Sequence, residues 1–417
     1  MMPKESTLPP TTDVFERYGL RRLVNASGTE TTRGASPVCR EVIDAVAGLV
    51  PHSVDMLELQ SAACHVIARA FGTEAGCVVN CTAAGISTAI AACMTGCDLG
   101  RVEQLPDVTG MKNEVVLQRG HNITYGGQIT QNITLTGAKM VEIGAATECG
   151  AYQLAHALTE RTAAALYVVS HHTVPSGLID LQTFCAVCKE RGVPVIVDGA
   201  AEPDPTVFLR AGADVVITSM HKSFAGLTAA TVAGRLELIR ACIYQEKGIA
   251  RPMKVGKEGV IASIAAVERW AALDRPAIRK ALEARLARGR DRLGELPGIT
   301  ASIEVDATSH LFARLLLNVD ANAAGITAYD VSARLWEQRP SIAVRSLMAD
   351  IGLLQVDLRR VDDATAEYVI GSIERIVREA GTATAATAPG EASPNLADLA
   401  EEGLKRFPLP LRQAGAG

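Results

Sequence analysis

An α/β fold built on a mostly parallel sheet, followed along the chain by a smaller α+β domain, is what the 417-residue sequence predicts. Three observations carry that expectation. From about residue 60, short apolar segments alternate with single segments of helical spacing. Most of the helical segments stop at a glycine or proline. Around Val260 the pattern gives way to long charged helices and then to alternating stretches.

In order, SAACHVIARAFG reads as a helix closed by Gly72, GCVVN as a buried strand and AAGISTAIAACM as a helix. NEVVLQ, AKMVEIG, AALYVVS, VPVIVD and ADVVITS read as further strands. YQLAHALTERT, LQTFCAVCKERG and PTVFLRAG are the helices between the last four. Strands joined by single helices build a parallel sheet covered on both faces. Ligands in such sheets bind beyond the carboxyl ends of the strands, so chemistry is expected just after VVN, VLQ, VVS, IVD and ITS. Beyond Val260, IRKALEARLARGRDRLGEL, SHLFARLLLNV and GLLQVDLRRV outline the smaller domain. The expected divisions are an N-terminal arm at 1–45, a large domain at 46–258, a small domain at 259–380 and a flexible, low-complexity tail at 381–417. LADLAEEGLKRF, within that tail, has the spacing of a short amphipathic helix.

A hydrophobic content of 48% and 21% charged residues fit a globular protein able to bury a large core. The net charge of −5 supplies no basic field for nucleic acid or anionic lipid, which favours a small-molecule partner. The first twenty residues carry no apolar core behind positive charge, and the run Val78–Cys97 is too interrupted for a membrane span. A cytoplasmic location is therefore expected. The ten cysteines do not outline a metal site: Cys93/Cys97 and Cys185/Cys188 fall at helical spacings, where cysteine acts as a small apolar residue.

Asp198 ends one expected strand and Lys222 lies just past the next, so both side chains face the same mouth of the sheet. That pairing is what pyridoxal 5′-phosphate (PLP) requires. A lysine forms an imine with the cofactor aldehyde, and a buried carboxylate keeps the pyridine nitrogen protonated. The ordinary alternative is a helix-capping aspartate and a surface lysine. The turn Thr82, Ala83, Ala84 and Gly85 opens a helix with free amides suited to a phosphate, and Ser219 lies in the lysine's turn as a second candidate ligand. His121, at the end of EVVLQRG, has a flat ring that could stack on the pyridine. His171 and His172 end YVVS on the substrate side, and adjacent residues of this kind make a poor metal pair. No G-x-G-x-x-G or G-x-x-x-x-G-K-[ST] loop supports a nucleotide-binding alternative.

SHHTVPSG, VPVIVDGAAEPD, TSMHKSFAG and ARPMKVGKEG occur in an order and spacing that resemble the fold-type-I PLP enzymes related to selenocysteine synthase, and most of all the D-glucosaminate-6-phosphate ammonia-lyase group. NASGTETTRGASPV, MKNEVVLQRGHNITYGG and RPSIAVRS extend the resemblance over Asn25 to Asp362. It implies an aspartate aminotransferase-like large domain with a mostly parallel seven-stranded sheet. It implies Lys222 as the Schiff-base lysine, Asp198 as the partner of the pyridine nitrogen and His121 as the stacking residue. Thr82 to Gly85 and Ser219 then surround the phosphate, and Arg345 holds the substrate α-carboxylate. Arg251, Lys254 and Lys257, otherwise a solvated basic loop, become candidates for a substrate phosphate or a neighbouring subunit's cofactor phosphate, in a homodimer or an assembly of dimers.

The reaction this implies removes the Cα proton, with Lys222 as the base, and expels a leaving group at Cβ, giving a keto acid and ammonia. A racemase and a β-hydroxy amino acid aldolase are rivals, because His172 or His121 supplies a second base for either. A PLP-fold protein without catalysis is the alternative of another class, and the intact Lys222 and Asp198 argue against it.

Overall fold

The computed structural model describes residues 13–308, 311–381, 401 and 403–409. They form two compact units. The larger comprises Thr29–Asp274 and Val305–Phe312; the smaller is built from residues 13–28, 275–304 and from 313 onward. Strand β1 (Leu23–Ala26) belongs to the smaller unit.

The larger unit is a sheet of β2 (Ala75–Val79), β3 (Glu114–Gln118), β4 (Lys139–Ile143), β5 (Thr162–Val168), β6 (Val195–Asp198), β7 (Val215–Ser219) and β8 (Ala230–Gly234). Their order across the sheet is β2-β8-β7-β6-β5-β3-β4. Every neighbouring pair from β4 to β7 is parallel, and β8 runs antiparallel to both β7 and β2. The seven mostly parallel strands expected are thus present. β8 was not legible in the sequence, because AATVAG is short and made of small residues.

Alternate residues of the central strands feed opposite faces, as the pleat requires. Val115, Leu117, Ile196, Val215 and Ile217 pack with Ile86 and Ile90 of the helix Thr82–Thr95. Val116, Val195, Val197 and Val216 pack on the other face with Leu154, Phe184 and Phe208, from the helices Ala151–Ala157, Leu181–Glu190 and Thr206–Arg210. Cys185 and Cys188 lie in this second layer, as helix spacing suggested. The helix expected to close at Gly72 runs Met56–Phe71, and Gly72 caps it at φ +67, a left-handed conformation that glycine adopts without strain.

The boundary expected at residue 259 moves. Val260, Ala262, Ala266, Val267 and Trp270 of the helix Lys257–Ala272 join Val42, Ile67, Phe71, Met220 and Phe224 in one buried cluster of the larger unit. An apolar face that complete holds the helix there, and the smaller unit resumes at Arg275. The N-terminal arm divides as well, since β1 joins one unit while Arg40–Leu49 is a helix of the other.

In the smaller unit, β9 (Ile299–Val305), β10 (Ala313–Val319), β11 (Ser341–Met348) and β12 (Leu353–Val356) combine with β1 in the order β1-β11-β12-β10-β9. β1 lies parallel to β11, from Leu23 opposite Ser341 to Ala26 opposite Val344. Leu286 and Leu293 of the helix Arg275–Gly294 and Val369 and Ile373 of Asp363–Gly381 cover this sheet. Most of the expected tail, 382–400, 402 and 410–417, lies outside the described residues. No helix among the described residues is long and apolar enough to cross a membrane.

Phe224 anchors the segment between β7 and β8: it is fully buried, stacked on Trp270 at 5.2 Å between ring centroids and edge-on to Phe71 at 5.9 Å. Phe224→Ala is expected to destabilise the protein by about 3–5 kcal/mol in urea unfolding. Leu57→Ala, at a position 66% exposed, should change it by less than about 0.5 kcal/mol.

Candidate active site

Because β5, β6 and β7 are parallel neighbours, their carboxyl ends emerge side by side. Asp198 is the last residue of β6, buried, with its carboxylate accepting the Ala200 N–H at 3.2 Å. Burial pushes its pKa up to about 6, against the pull of Lys222 and the Ala200 amide, so the charged form needs a cation beside it.

Lys222 lies in the turn after β7. Burial lowers the pKa of its ammonium, and the carboxylates of Asp198 and then Glu202 oppose that shift. The backbone of this turn is fixed from several directions. The Ser36 hydroxyl donates to the Lys222 carbonyl at 2.8 Å, and the Ser36 N–H donates to the His221 carbonyl at 3.1 Å. The Gly226 N–H closes back on the Met220 carbonyl at 2.8 Å. Met220 and Phe224, on either side of the lysine, are both fully buried and hold the turn in the core. His221 directs its Nδ1 to the Thr228 hydroxyl at 3.3 Å, and its pKa is lowered by burial and by Lys222.

The helix Thr82–Thr95 begins at the expected turn. Cys81, its N-cap, accepts the Ala84 N–H on its sulfur at 3.4 Å, and its carbonyl takes the Gly85 N–H at 2.9 Å. The first amides, of Thr82 and Ala83, have no intrahelical partner and suit an anion. Gly85 has a different task from the one its sequence context suggested. A Cβ there would stand 2.8 Å from Ile217 Cγ2, so the glycine lets the helix approach β7 closely.

His121 closes a short turn after β3 and is buried. Its Nδ1 accepts the Val168 N–H at 3.2 Å, which puts the ring proton on Nε2, and its ring stands edge-on to Tyr167 at 4.5 Å. Burial lowers its pKa to about 4, so it presents a neutral, flat surface at ordinary pH. Ser219 is the last residue of β7, buried, with its N–H donated to the Ala200 carbonyl at 3.2 Å. His171 and His172 are exposed beyond β5, rings 3.9 Å apart, and the His172 N–H donates to the Ser170 hydroxyl at 3.2 Å.

Asp198 and Lys222 are thus brought together, with Ser219 in the same cluster of turns. Arg251 and Lys254 are exposed, Lys254 lines a small cleft with Thr88, Cys77 and Cys242, and Lys257 donates its ammonium to the His52 carbonyl. Arg345 belongs to the smaller unit, buried on β11 opposite Gln355. Two residues escaped the sequence reading. Tyr125 accepts a hydrogen bond from Asn132 Nδ2, and burial, Asp198 and Cys81 all raise the pKa of its hydroxyl. Glu202 is a buried carboxylate four residues beyond Asp198. A lone tyrosine ahead of two glycines and a glutamate in a loop carry no periodic signal, which is why neither was found.

An amine of lowered pKa beside a buried carboxylate, with a helix N-terminus and a neutral flat ring in the same unit, fits PLP group by group. Lys222 would take the aldehyde, Asp198 would face a protonated ring nitrogen, Thr82 and Ala83 would donate to the phosphate and His121 would offer the ring surface. Among the described residues no three histidine, cysteine or acidic side chains group as metal ligands.

No family model matches the chain. It is 34% identical to D-glucosaminate-6-phosphate ammonia lyase of Salmonella typhimurium (strain 14028s / SGSC 2262) over 89% of this chain and 99% of that one. It is 37% identical to 5′-C-glycyluridine monooxygenase-decarboxylase of Streptomyces sp over 88% of this chain and 93% of that one. The solved structure of D-glucosaminate-6-phosphate ammonia-lyase superposes with a TM-score of 0.78, again at 34% identity, covering 89% of this chain and 99% of the other. Ureidoglycine-glyoxylate aminotransferase of Bacillus subtilis, at 13% identity and a TM-score of 0.59 over 92% and 98% of the two chains, shares the fold. Identity at that level over 89% of the chain, on the same fold, shows that the protein belongs to the D-glucosaminate-6-phosphate ammonia lyase family of fold-type-I PLP enzymes.

Proposed function

We propose that the protein is a PLP-dependent lyase that removes the Cα proton of an amino acid or amino-sugar acid and eliminates a Cβ substituent, releasing a keto acid and ammonia. The observation that carries this is the Asp198 and Lys222 pair at the adjoining ends of β6 and β7, in a chain similar to an ammonia lyase over 89% of its length. PLP, when bound, supplies an electron sink that weakens the bonds to the substrate Cα.

The protein's own residues do the rest. Asp198 holds a proton on the ring nitrogen by keeping a negative charge against it. Lys222 is the base for the Cα proton, a task suited to an amine whose pKa burial has lowered. Thr82 and Ala83, with Ser219, anchor the phosphate, His121 bears on the ring, and His172 faces the substrate side. Arg345 is assigned the substrate carboxylate by family likeness, as a planar two-point donor. The same likeness supports Arg251, Lys254 and Lys257 as a turn that binds a substrate phosphate or a partner's cofactor phosphate, in a cytoplasmic homodimer or an assembly of dimers.

The 37% identity to a monooxygenase-decarboxylase favours a second reading, in which the substrate loses its carboxylate with consumption of oxygen. D-glucosaminate 6-phosphate offered to the holoenzyme separates the two. Ammonia and keto acid released without oxygen uptake support the lyase; carbon dioxide release tied to oxygen uptake replaces it.

The holoenzyme should absorb in the visible near 400 nm (roughly, as for a protonated imine of this cofactor), and borohydride should fix the chromophore to Lys222 by peptide mass mapping. An adduct on another lysine overturns the assignment. Asp198→Ala is expected to retain cofactor, seen by absorbance, while suppressing turnover; unchanged turnover removes the aspartate from its role. Arg345→Ala should weaken kcat/KM by on the order of 2–5 kcal/mol with the cofactor spectrum intact. Arg345→Lys should recover part of this, because an ammonium is a point charge without the two-pronged geometry. Bleaching of the cofactor in Arg345→Ala would instead make Arg345 a cofactor ligand.

A further inference from the structure

Glu202 follows Asp198 by four residues and is 2% exposed. Its loop is bound to the Lys222 turn on both sides of the lysine. The Ser219 N–H donates to the Ala200 carbonyl at 3.2 Å, and the Ser223 hydroxyl donates to the Ala201 carbonyl at 2.7 Å. Beyond the glutamate, Trp270 Nε1 donates to the Pro203 carbonyl at 2.8 Å, and the Glu202 N–H itself donates to the Gly199 carbonyl at 3.1 Å. Positions 200, 201 and 203 are thereby pinned, and Glu202 is held between them next to the lysine's turn. A glutamate is rarely buried to this degree without a charged or strongly polar partner.

We propose that Glu202 is a positioning carboxylate for Lys222, a negative charge separate from that of Asp198 that governs how firmly the lysine nitrogen holds a proton. This rests on Lys222 being the cofactor lysine. Asp198 is then engaged by the ring nitrogen, and Glu202 is the carboxylate left to act on the lysine side of the site. The electrostatics agree, since Glu202 follows Asp198 among the groups that raise the proton affinity of Lys222 against its burial. Two other titratable groups stand near this pair. His221 comes from its own turn and is bonded to Thr228, while Tyr125 acts at one remove, through Asp198. The helix Lys257–Ala272 brings neutral Trp270, beside Phe71 and Phe224.

The sign follows directly. A negative charge favours the protonated nitrogen, so its removal lowers the pH at which the nitrogen gives up its proton. The test is the pH dependence of the visible absorbance band of the holoenzyme in wild type, Glu202→Gln and Glu202→Asp. Glu202→Gln, nearly the same shape without the charge, should lower the midpoint by about one pH unit or more. Glu202→Asp, which keeps the charge, should return it towards wild type. A midpoint unchanged in Glu202→Gln overturns the proposal, as does Glu202→Gln behaving as wild type while Glu202→Asp loses cofactor, the pattern of a packing residue. Loss of folded protein in both variants, read by circular dichroism, also overturns it by making the role structural. A wild-type protein with no visible band fixed to Lys222 defeats the reading of the site and this proposal together; a normal band with an unmoved midpoint defeats this proposal alone.

Discussion

Placing an amine and a carboxylate side by side in desolvated ground is the constraint on which the larger unit turns. Asp198 is buried and Lys222 half-buried, so each charge leans on the other and on fixed dipoles in place of part of its water. That demands walls that do not yield. The Lys222 turn is accordingly tied to Ser36 upstream, closed on itself through Met220 and Gly226, and wedged by Phe224 against Trp270 and Phe71. The loop after β6 is held to the same turn through Ser219 and Ser223. The result is a pair of loops tied to each other at two points.

The parallel strands and their covering helices were legible because their signal is local: apolar runs of strand length, helical spacing between them and glycine stops such as Gly72. Asp198 and Lys222 were legible for the same reason, as each falls at a strand's carboxyl end. What the sequence concealed depends on contacts between distant segments. The short, small-residue β8 becomes a strand because β2 and β7 flank it. The helix Lys257–Ala272 has a charged sequence with an apolar face, and only the cluster around Phe71 and Phe224 assigns it to the larger unit. Gly85 looked like part of an anion-binding turn, and its position is set by Ile217 across the interface.

The family resemblance and the physical reading of single residues supply different things. Likeness to the ammonia lyase covers 89% of the chain, yet a monooxygenase-decarboxylase stands at similar identity over a similar span. Shared ancestry therefore fixes the scaffold and its cofactor chemistry more firmly than the bond that breaks. Which bond is broken is decided by the substrate's orientation and by the protonation of the groups around it. Glu202, buried, and Tyr125, exposed, are titratable side chains of this kind.

The hydrogen bond from the Val168 amide to His121 Nδ1 has an effect beyond holding the ring. It uses the lone pair through which the imidazole would take a second proton, and burial adds to the resistance. The histidine thus serves as an electrical insulator at the end of β3, presenting polarisable surface without adding a cation to a site already balanced between one amine and its acids. A lysine or arginine at this position would bring a full positive charge that competes with Lys222 for Asp198. Neutrality, rather than basicity, is what this environment imposes on the ring.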